Sequence, residues 1–257
     1  MRQLEAYLNT PLFVRHHRRL SLTSTGQAYL EGVHRALDRL DSITDQLFPD
    51  RQNQAVTLRC TSAVATLWLA PRIGHLHKLH PNIDLRINTL DHSHEDKQFA
   101  TADLEIFIQG QGAIDPYAQK LLTSTISPVC SPELFSSGAR PQSPEEVLTH
   151  ELIHVLGYDD DWHRWFRNHR LSEVKVPRGL SVDGSLIAIE TALRGDGIML
   201  GRRPFIDRYL QSGELIEVFE NSFYLYADYY LRLPPRTSGR QASSRVASWI
   251  IELASAR

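Results

Sequence analysis

The apolar positions of this chain change period along its length, and those changes divide it. Leu30, Val33, Leu37, Leu40, Thr44 and Leu47 are spaced 3, 4, 3, 4 and 3 apart. That row is an a/d seam over about three heptads. Arg35, Asp38, Arg39, Asp41 and Asp45 flank it. A stripe so narrow suits a partner helix better than a buried core. A Ser or Thr oxygen in the stretch 23–26 can cap the helix start, and Phe48-Pro49-Asp50 stops it before a polar linker at 51–54. Ahead of the seam, residues 2–9 have helix-forming composition, with Leu4 and Leu8 on one face. Thr10-Pro11 ends that helix, because a residue before proline avoids the helical region. The apolar runs 12–14 and 20–22 bracket a basic tip at 16–19, which reads as a strand–loop–strand wing.

Beyond the linker the period switches between 2 and 3.6. Strands are predicted at 56–60, 83–89 and 104–108. Helices are predicted at 65–78, with Leu69, Ile73 and Leu76 facing inward, and at 95–100. A β-α-β-α-β order implies a parallel sheet covered by helices. A second α/β unit follows. Its strands are predicted at 126–130, 152–156, 180–182, 198–200 and 215–219. Its helices are predicted at 145–149, 161–168, 186–194 and 203–211, with Gly195 and Gly213 as helix stops. An aromatic strand at 223–233 and an amphipathic helix at 243–254 close the chain.

Composition changes this picture in two places. The formal charge of −2 excludes nucleic-acid binding over the whole surface. A DNA contact must then be local, and Arg15, Arg18 and Arg19 with His16 and His17 supply a local cluster; a solvated loop is the competing account. Cys60 and Cys130 are too few for a disulfide framework and fit a reducing cytosol. No run approaches the ~18 apolar residues of a membrane helix.

Two groups of residues carry candidate chemistry. The stretches 61–66 and 183–185 each leave a strand and start a helix. Helix N-termini present free N–H groups that suit a carboxylate or phosphate, and ligands of α/β sheets gather at the carboxyl ends of strands. Ser62, Ala63, Val64, Thr66, Asp183 and Ser185 are the candidate contacts, joined by Thr89, Ser127 and Val129 from neighbouring strand ends. Helix capping alone is the competing account of the serines and threonines. The second group is His150-Glu151-Leu152-Ile153-His154, which matches the zinc-hydrolase pattern HExxH with Asp160 as a third ligand. That chemistry needs one helix face, whereas 152–156 reads as a buried strand. No phosphate loop and no Ser/His/Asp constellation is present, and no cofactor is expected.

The fragments RQLEAYLNTPLFVRHHRRLSLTSTG at 2–26, Leu69-Ala70-Pro71-Arg72, HPNIDLRI at 80–87, PVCSPEL at 128–134, Trp162 with Trp165, and the stretch 183–201 together resemble the LysR-type bacterial transcription regulators. The later motifs are most similar to the subgroup of the glycine-cleavage activator and the β-lactamase regulator. The resemblance implies an α/β fold with a two-lobed, periplasmic-binding-protein-like effector domain. A partial winged helix-turn-helix and a long dimerisation helix precede it. The implied division is a winged remnant at 1–23, a linker helix at 24–50, lobe I at 56–127 and 234–257, and lobe II at 128–233. The chain passes between lobes near 127–131 and 229–234. Met1 falls where these regulators are already inside their second DNA-binding helix, so weak or absent operator binding is expected of the chain as given. An effector-binding and oligomerising module without DNA binding is the alternative.

The implied partners are promoter DNA, a small-molecule effector, a homodimer or homotetramer, and RNA polymerase, in the cytoplasm and away from membranes. Arg2 and Gln3 are implied at the end of the recognition helix, and Tyr229 in the cleft. Where many relatives carry an arginine, this chain has Gln109. Its effector is then neutral, or rests its acid on helix N-termini.

Overall fold

A computed structural model describes residues 2–16, 19–47, 55–89, 102–109, 115–136, 138, 140–158, 160–219, 224–234, 237 and 240–255. Helix α1 spans Arg2–Leu8, strands β1 (Phe13–His16) and β2 (Arg19–Leu22) form the wing, and α2 runs from Ser24–Leu47. Asn9 turns the chain with φ of 46°, and Glu5 Oε1 accepts the Leu12 and Phe13 N–H groups at 2.8 and 3.0 Å. The wing is thereby tied to α1. Thr23 Oγ1 accepts the Gly26 N–H at 2.8 Å and donates to the Pro11 carbonyl at 2.9 Å, so one hydroxyl caps α2 and fastens it to the wing. Gly26 packs so closely that a Cβ there would lie 2.0 Å from the Leu12 carbonyl oxygen. Along α2, Leu30 and Leu40 of the seam are exposed (36% and 60%), as are Tyr29 and Ile43. The side chains of Leu37, Thr44 and Leu47 lie outside the described residues.

The remainder is built on one nine-stranded sheet among the described residues. Strands β3 (Ala55–Cys60), β4 (Asp84–Thr89) and β5 (Leu104–Gln109) form a parallel set with β3 in the middle. At the far end β7 (Leu152–Val155), β8 (Ser181–Val182) and β9 (Ile198–Arg203) form a second parallel set. Two antiparallel strands join the sets. Strand β6 (Ala118–Cys130) pairs with β11 (Tyr224–Arg232) along most of its length, and with β9 at Thr125 to Val129; β11 pairs on its other side with β5. The short β10 (Ile216–Glu217) adds to β6. This is the two-lobed α/β arrangement expected from the sequence.

Helices cover the sheet. A π-helical turn at Val64–Leu69 and a 3-10 turn at Ala70–Arg72 lead into α3 (Ile73–Leu79). The helix expected at 65–78 is present without a break, but its winding changes from π to 3-10 to α around Pro71, which has no N–H to give to a regular ladder. Leu69 and Leu76 are buried as expected. The second set carries α4 (Asp161–Asn168), α5 (Ser185–Leu193) and α6 (Asp207–Ser212). The C-terminal helix α7 (Gln241–Ser255) packs against β3 and β6, with Val246 and Ile250 fully buried.

Three expectations are corrected. Strand β6 starts at Ala118 rather than 126, because its first half, AQKLLTST, gains strand order from pairing with β11 rather than from alternation. Strand β9 runs on through Gly201, Arg202 and Arg203, and the helix expected at 203–211 begins only at Asp207. The segment 145–149 forms a 3-10 turn, not an α-helix. The helix expected at 95–100 lies outside the described residues. Gly195 and Gly213 end their helices with φ of 78° and 76°.

Candidate functional site

A cleft enclosing about 600 Å³, part of it open to solvent, lies where the two parallel sets meet. Thr61 and Ala63, beyond the end of β3, line one side. Ser185 and Ile189 of α5, Met199, Leu200 and Arg202 of β9, and Ile153, His154, Val155, Tyr158, Asp161 and Trp162 line the other. Tyr229 of β11 and Phe205 complete it. Thr61 Oγ1 accepts the Val64 N–H at 3.4 Å and so holds the first turn beyond β3. Gly184 precedes α5 in an extended conformation, with no side-chain cap on that helix.

The polar wall of the cleft is a buried cluster. Asp161 begins α4 and Arg202 ends the buried part of β9; each is only 7% exposed. Arg202 Nη2 donates to Asp161 Oδ2. The Arg202 guanidinium also lies over the Tyr158 ring, 3.9 Å from its centre. Burial first, then the neighbouring Tyr229, pushes the Tyr158 hydroxyl well above its ordinary pKa, against the opposing pull of Arg202. Tyr158 is therefore a neutral phenol at physiological pH, hydrogen-bonded to Tyr229. Tyr229 is 2% exposed and meets Phe205 edge-on at 5.2 Å. Trp162 Nε1 donates to the Ile153 carbonyl at 3.1 Å, which fixes its indole as an apolar wall.

The tight turn after β7 makes this possible. Gly157 takes φ of 82°, Tyr158 N–H reaches the Val155 carbonyl at 3.0 Å, and Asp161 N–H reaches the Tyr158 carbonyl at 2.9 Å. Gly201 has a different role: a Cβ there would lie 2.6 Å from Val129 Cγ2 and 2.5 Å from Ile206 Cδ1. A Cβ there would force the Val129 and Ile206 side chains to shift, so glycine lets β9 pass close to them and deliver Arg202.

Of the candidate contacts read from the sequence, Ala63, Ser185 and Tyr229 line the cleft together. Val64, Ser127 and Val129 are fully buried and are not among its lining residues. The helix turn and strand pleat point these side chains into the core, and nearness to a strand end does not fix that direction. Ser62 and Gln109 are half-buried, and Thr66, Thr89 and Asp183 are exposed; all five lie outside the lining. Sequence reasoning missed Tyr158, Asp161 and Arg202 as a group. The available signal was an arginine ending the apolar run Ile198-Met199-Leu200-Gly201, beside an aspartate starting a tryptophan-rich helix.

The zinc-hydrolase pattern is not built. His150 ends a 3-10 turn in extended backbone, and His154 sits in β7, so the helical face that HExxH requires is missing. His154 Nε2 lies 3.1 Å from the Pro177 carbonyl, and Glu151 Oε1 accepts the Leu180 N–H at 3.2 Å. No cluster of three potential metal-ligating side chains occurs among the described residues.

At the other end, Gln3 is exposed on α1, and the backbones of Arg2, Arg15 and Arg19 lie in α1 and the wing strands; Arg18 falls outside the described residues. No described helix is long and apolar enough to cross a membrane.

Comparison with known proteins places these features in a context. A family model described as LysR substrate binding domain matches residues 49–255. The glycine cleavage system transcriptional activator of Escherichia coli (strain K12) is 29% identical over 231 residues, covering 88% of this chain and 75% of that protein. The solved effector domain of the transcriptional regulator AmpR of Pseudomonas aeruginosa superposes with a TM-score of 0.67 at 25% identity, over 78% of this chain and 95% of that one. The full-length virulence activator AphB of Vibrio cholerae shares the fold, with a TM-score of 0.62 at 20% identity over 98% of this chain and 86% of its own.

Proposed function

The chain belongs to the LysR family of transcriptional regulators, and from that premise we propose that its effector is a small molecule held in the cleft bounded by Ala63, Tyr158, Ser185, Arg202 and Tyr229. Regulators of this family bind promoter DNA and small-molecule effectors and form oligomers. One observation supports this placement: a concave, largely apolar cleft with a few convergent polar groups lies where the two lobes meet. Ser185, Ala63 and Tyr229 are the contacts taken over from the sequence reading. Ser62, Thr66, Asp183, Thr89 and Gln109 serve the rim or a closed state, and Val64, Ser127 and Val129 shape the wall from behind.

The proposed division is 1–23 for the wing and its helix, 24–50 for the dimerisation helix, 56–127 with 234–257 for lobe I, and 128–233 for lobe II. Among the described residues two strands, β6 and β11, link the lobes, so a ligand touching both lobes biases their closure. The seam of α2, exposed at Leu30 and Leu40, carries that change to a partner in a cytoplasmic homodimer or homotetramer, and from there to RNA polymerase. Arg15, Arg18 and Arg19, with Arg2 and Gln3, contact promoter DNA, chiefly its phosphates, so affinity falls steeply with salt. The protein senses its ligand without transforming it.

The test is a thermal-shift screen of a metabolite library with Ala63→Trp as the blocked control. At least one compound is expected to raise the melting temperature of the wild type and not of the variant. A library whose active compounds all act equally on Ala63→Trp rules the cleft out.

A further inference from the structure

The charges of the cleft select the class of ligand. This inference rests on the cleft being the effector site. We propose that the ligand is a small zwitterion, with its ammonium at Asp161 and its carboxylate at Arg202.

Apart from His154, the ionisable groups of opposite sign in the lining are one aspartate and one arginine, and they are paired with each other. The cleft therefore has no net charge to offer. Both groups are 7% exposed, and they share the lining of the cleft with Tyr158, Trp162, Phe205, Ile189, Met199 and Tyr229. In such a low-dielectric setting a single ligand charge is costly to bury. A lone carboxylate beside Arg202 also meets the like charge of Asp161; a lone ammonium beside Asp161 meets that of Arg202. A molecule bearing both charges adds two attractions, brings no net charge, and leaves the existing pair intact. The Tyr158 ring braces the guanidinium from one face, so Arg202 is held ready rather than recruited. The apolar remainder of the wall accepts the carbon skeleton.

Calorimetric titration of the full chain tests this. The probes are the standard L-amino acids with D-alanine and D-serine. For each that binds, its amide (cationic) and its N-acetyl derivative (anionic) are titrated too. At least one free amino acid is expected to bind, and each singly charged derivative is expected to bind at least about tenfold more weakly, a difference of roughly 1.4 kcal/mol. In Asp161→Asn the preference should invert, with the N-acetyl derivative binding better than the free amino acid. A purely structural ion pair would not produce that inversion. Absence of binding by every free amino acid overturns the proposal, as does a derivative that binds within about twofold of its parent. Pyruvate, succinate and N-acetylglucosamine separate the two claims. If one of them binds in an Ala63-dependent manner while no amino acid does, the cleft remains the effector site and the zwitterion falls.

Discussion

Removing one partner of the Arg202–Asp161 pair should harm the protein more than removing both. The pair joins the start of α4 to the end of β9, with side chains 8% and 9% exposed. Breaking a pair buried this deeply leaves a charge without its partner and costs about 3–5 kcal/mol. Asp161→Leu should fall at the low end, ~3 kcal/mol, because Arg202 keeps its stack on Tyr158, a contact of about 2 kcal/mol when desolvated. Arg202→Met should cost more, ~4–5 kcal/mol, because it removes that stack and strands Asp161. The helix dipole at the first turn of α4 returns only about 0.5–1 kcal/mol. The double variant Asp161→Leu/Arg202→Met buries no charge and should lie within ~2 kcal/mol of the wild type. Urea unfolding at neutral pH measures all four proteins. In thermal melts the single variants should drop by roughly 6–20 °C, at about 2–4 °C per kcal/mol for a chain of this size. Single variants within ~1 kcal/mol of the wild type would refute the reasoning, as would a double variant as unstable as the two losses added together.

Other positions are as open to measurement. Gly26→Ala should loosen the wing from α2, because its Cβ meets backbone at 2.0 Å; limited proteolysis should then cut near residues 10–26 while the effector domain survives. Leu40→Glu, on an exposed seam position, should shift the mass measured by light scattering towards the monomer, with the melting temperature of the effector domain unchanged; an unaltered mass would speak against the seam. Burial pushes the Cys130 thiol up to about 12, despite the nearby Arg140. It should therefore react with a thiol reagent only after denaturation. Its folded-state pKa lies above the ordinary 9.0, so the folded chain holds the thiol proton more tightly than the unfolded one. That contribution is fully present below pH 9 and is lost as pH rises towards 12. Stability should fall across that window, and less steeply in Cys130→Ala.

The wing, the long helix and the order of strands were readable because each is a local pattern. Thr10-Pro11, the 3-4 spacing through Leu40, and the alternation at 83–89 all act over a few residues. The first half of β6 was not readable, since AQKLLTST becomes a strand through its partner β11, more than a hundred residues away. The candidate site divides the same way. Strand-to-helix junctions pointed to Ala63 and Ser185, and the resemblance pointed to Tyr229. The same rule also gathered Val64, Ser127 and Val129, whose side chains turn inward, because nearness to a strand end does not say which way a side chain faces.

By itself the sequence carried the resemblance to the LysR regulators, and its residue types and spacing determined most of the element order and the 3-4 seam of α2. Only the tertiary structure decided what lines the cleft. It places Asp161 of α4 under Arg202 of β9, forty-one positions later, and closes Tyr158 over the guanidinium. It also set Glu151, just ahead of the strand already expected at 152–156, to hold the Leu180 N–H. The physical reason is that charge pairing and burial are set by distances through space. No periodicity records that an aspartate and an arginine, each unremarkable in its own segment, will neutralise one another in the wall of the same cleft.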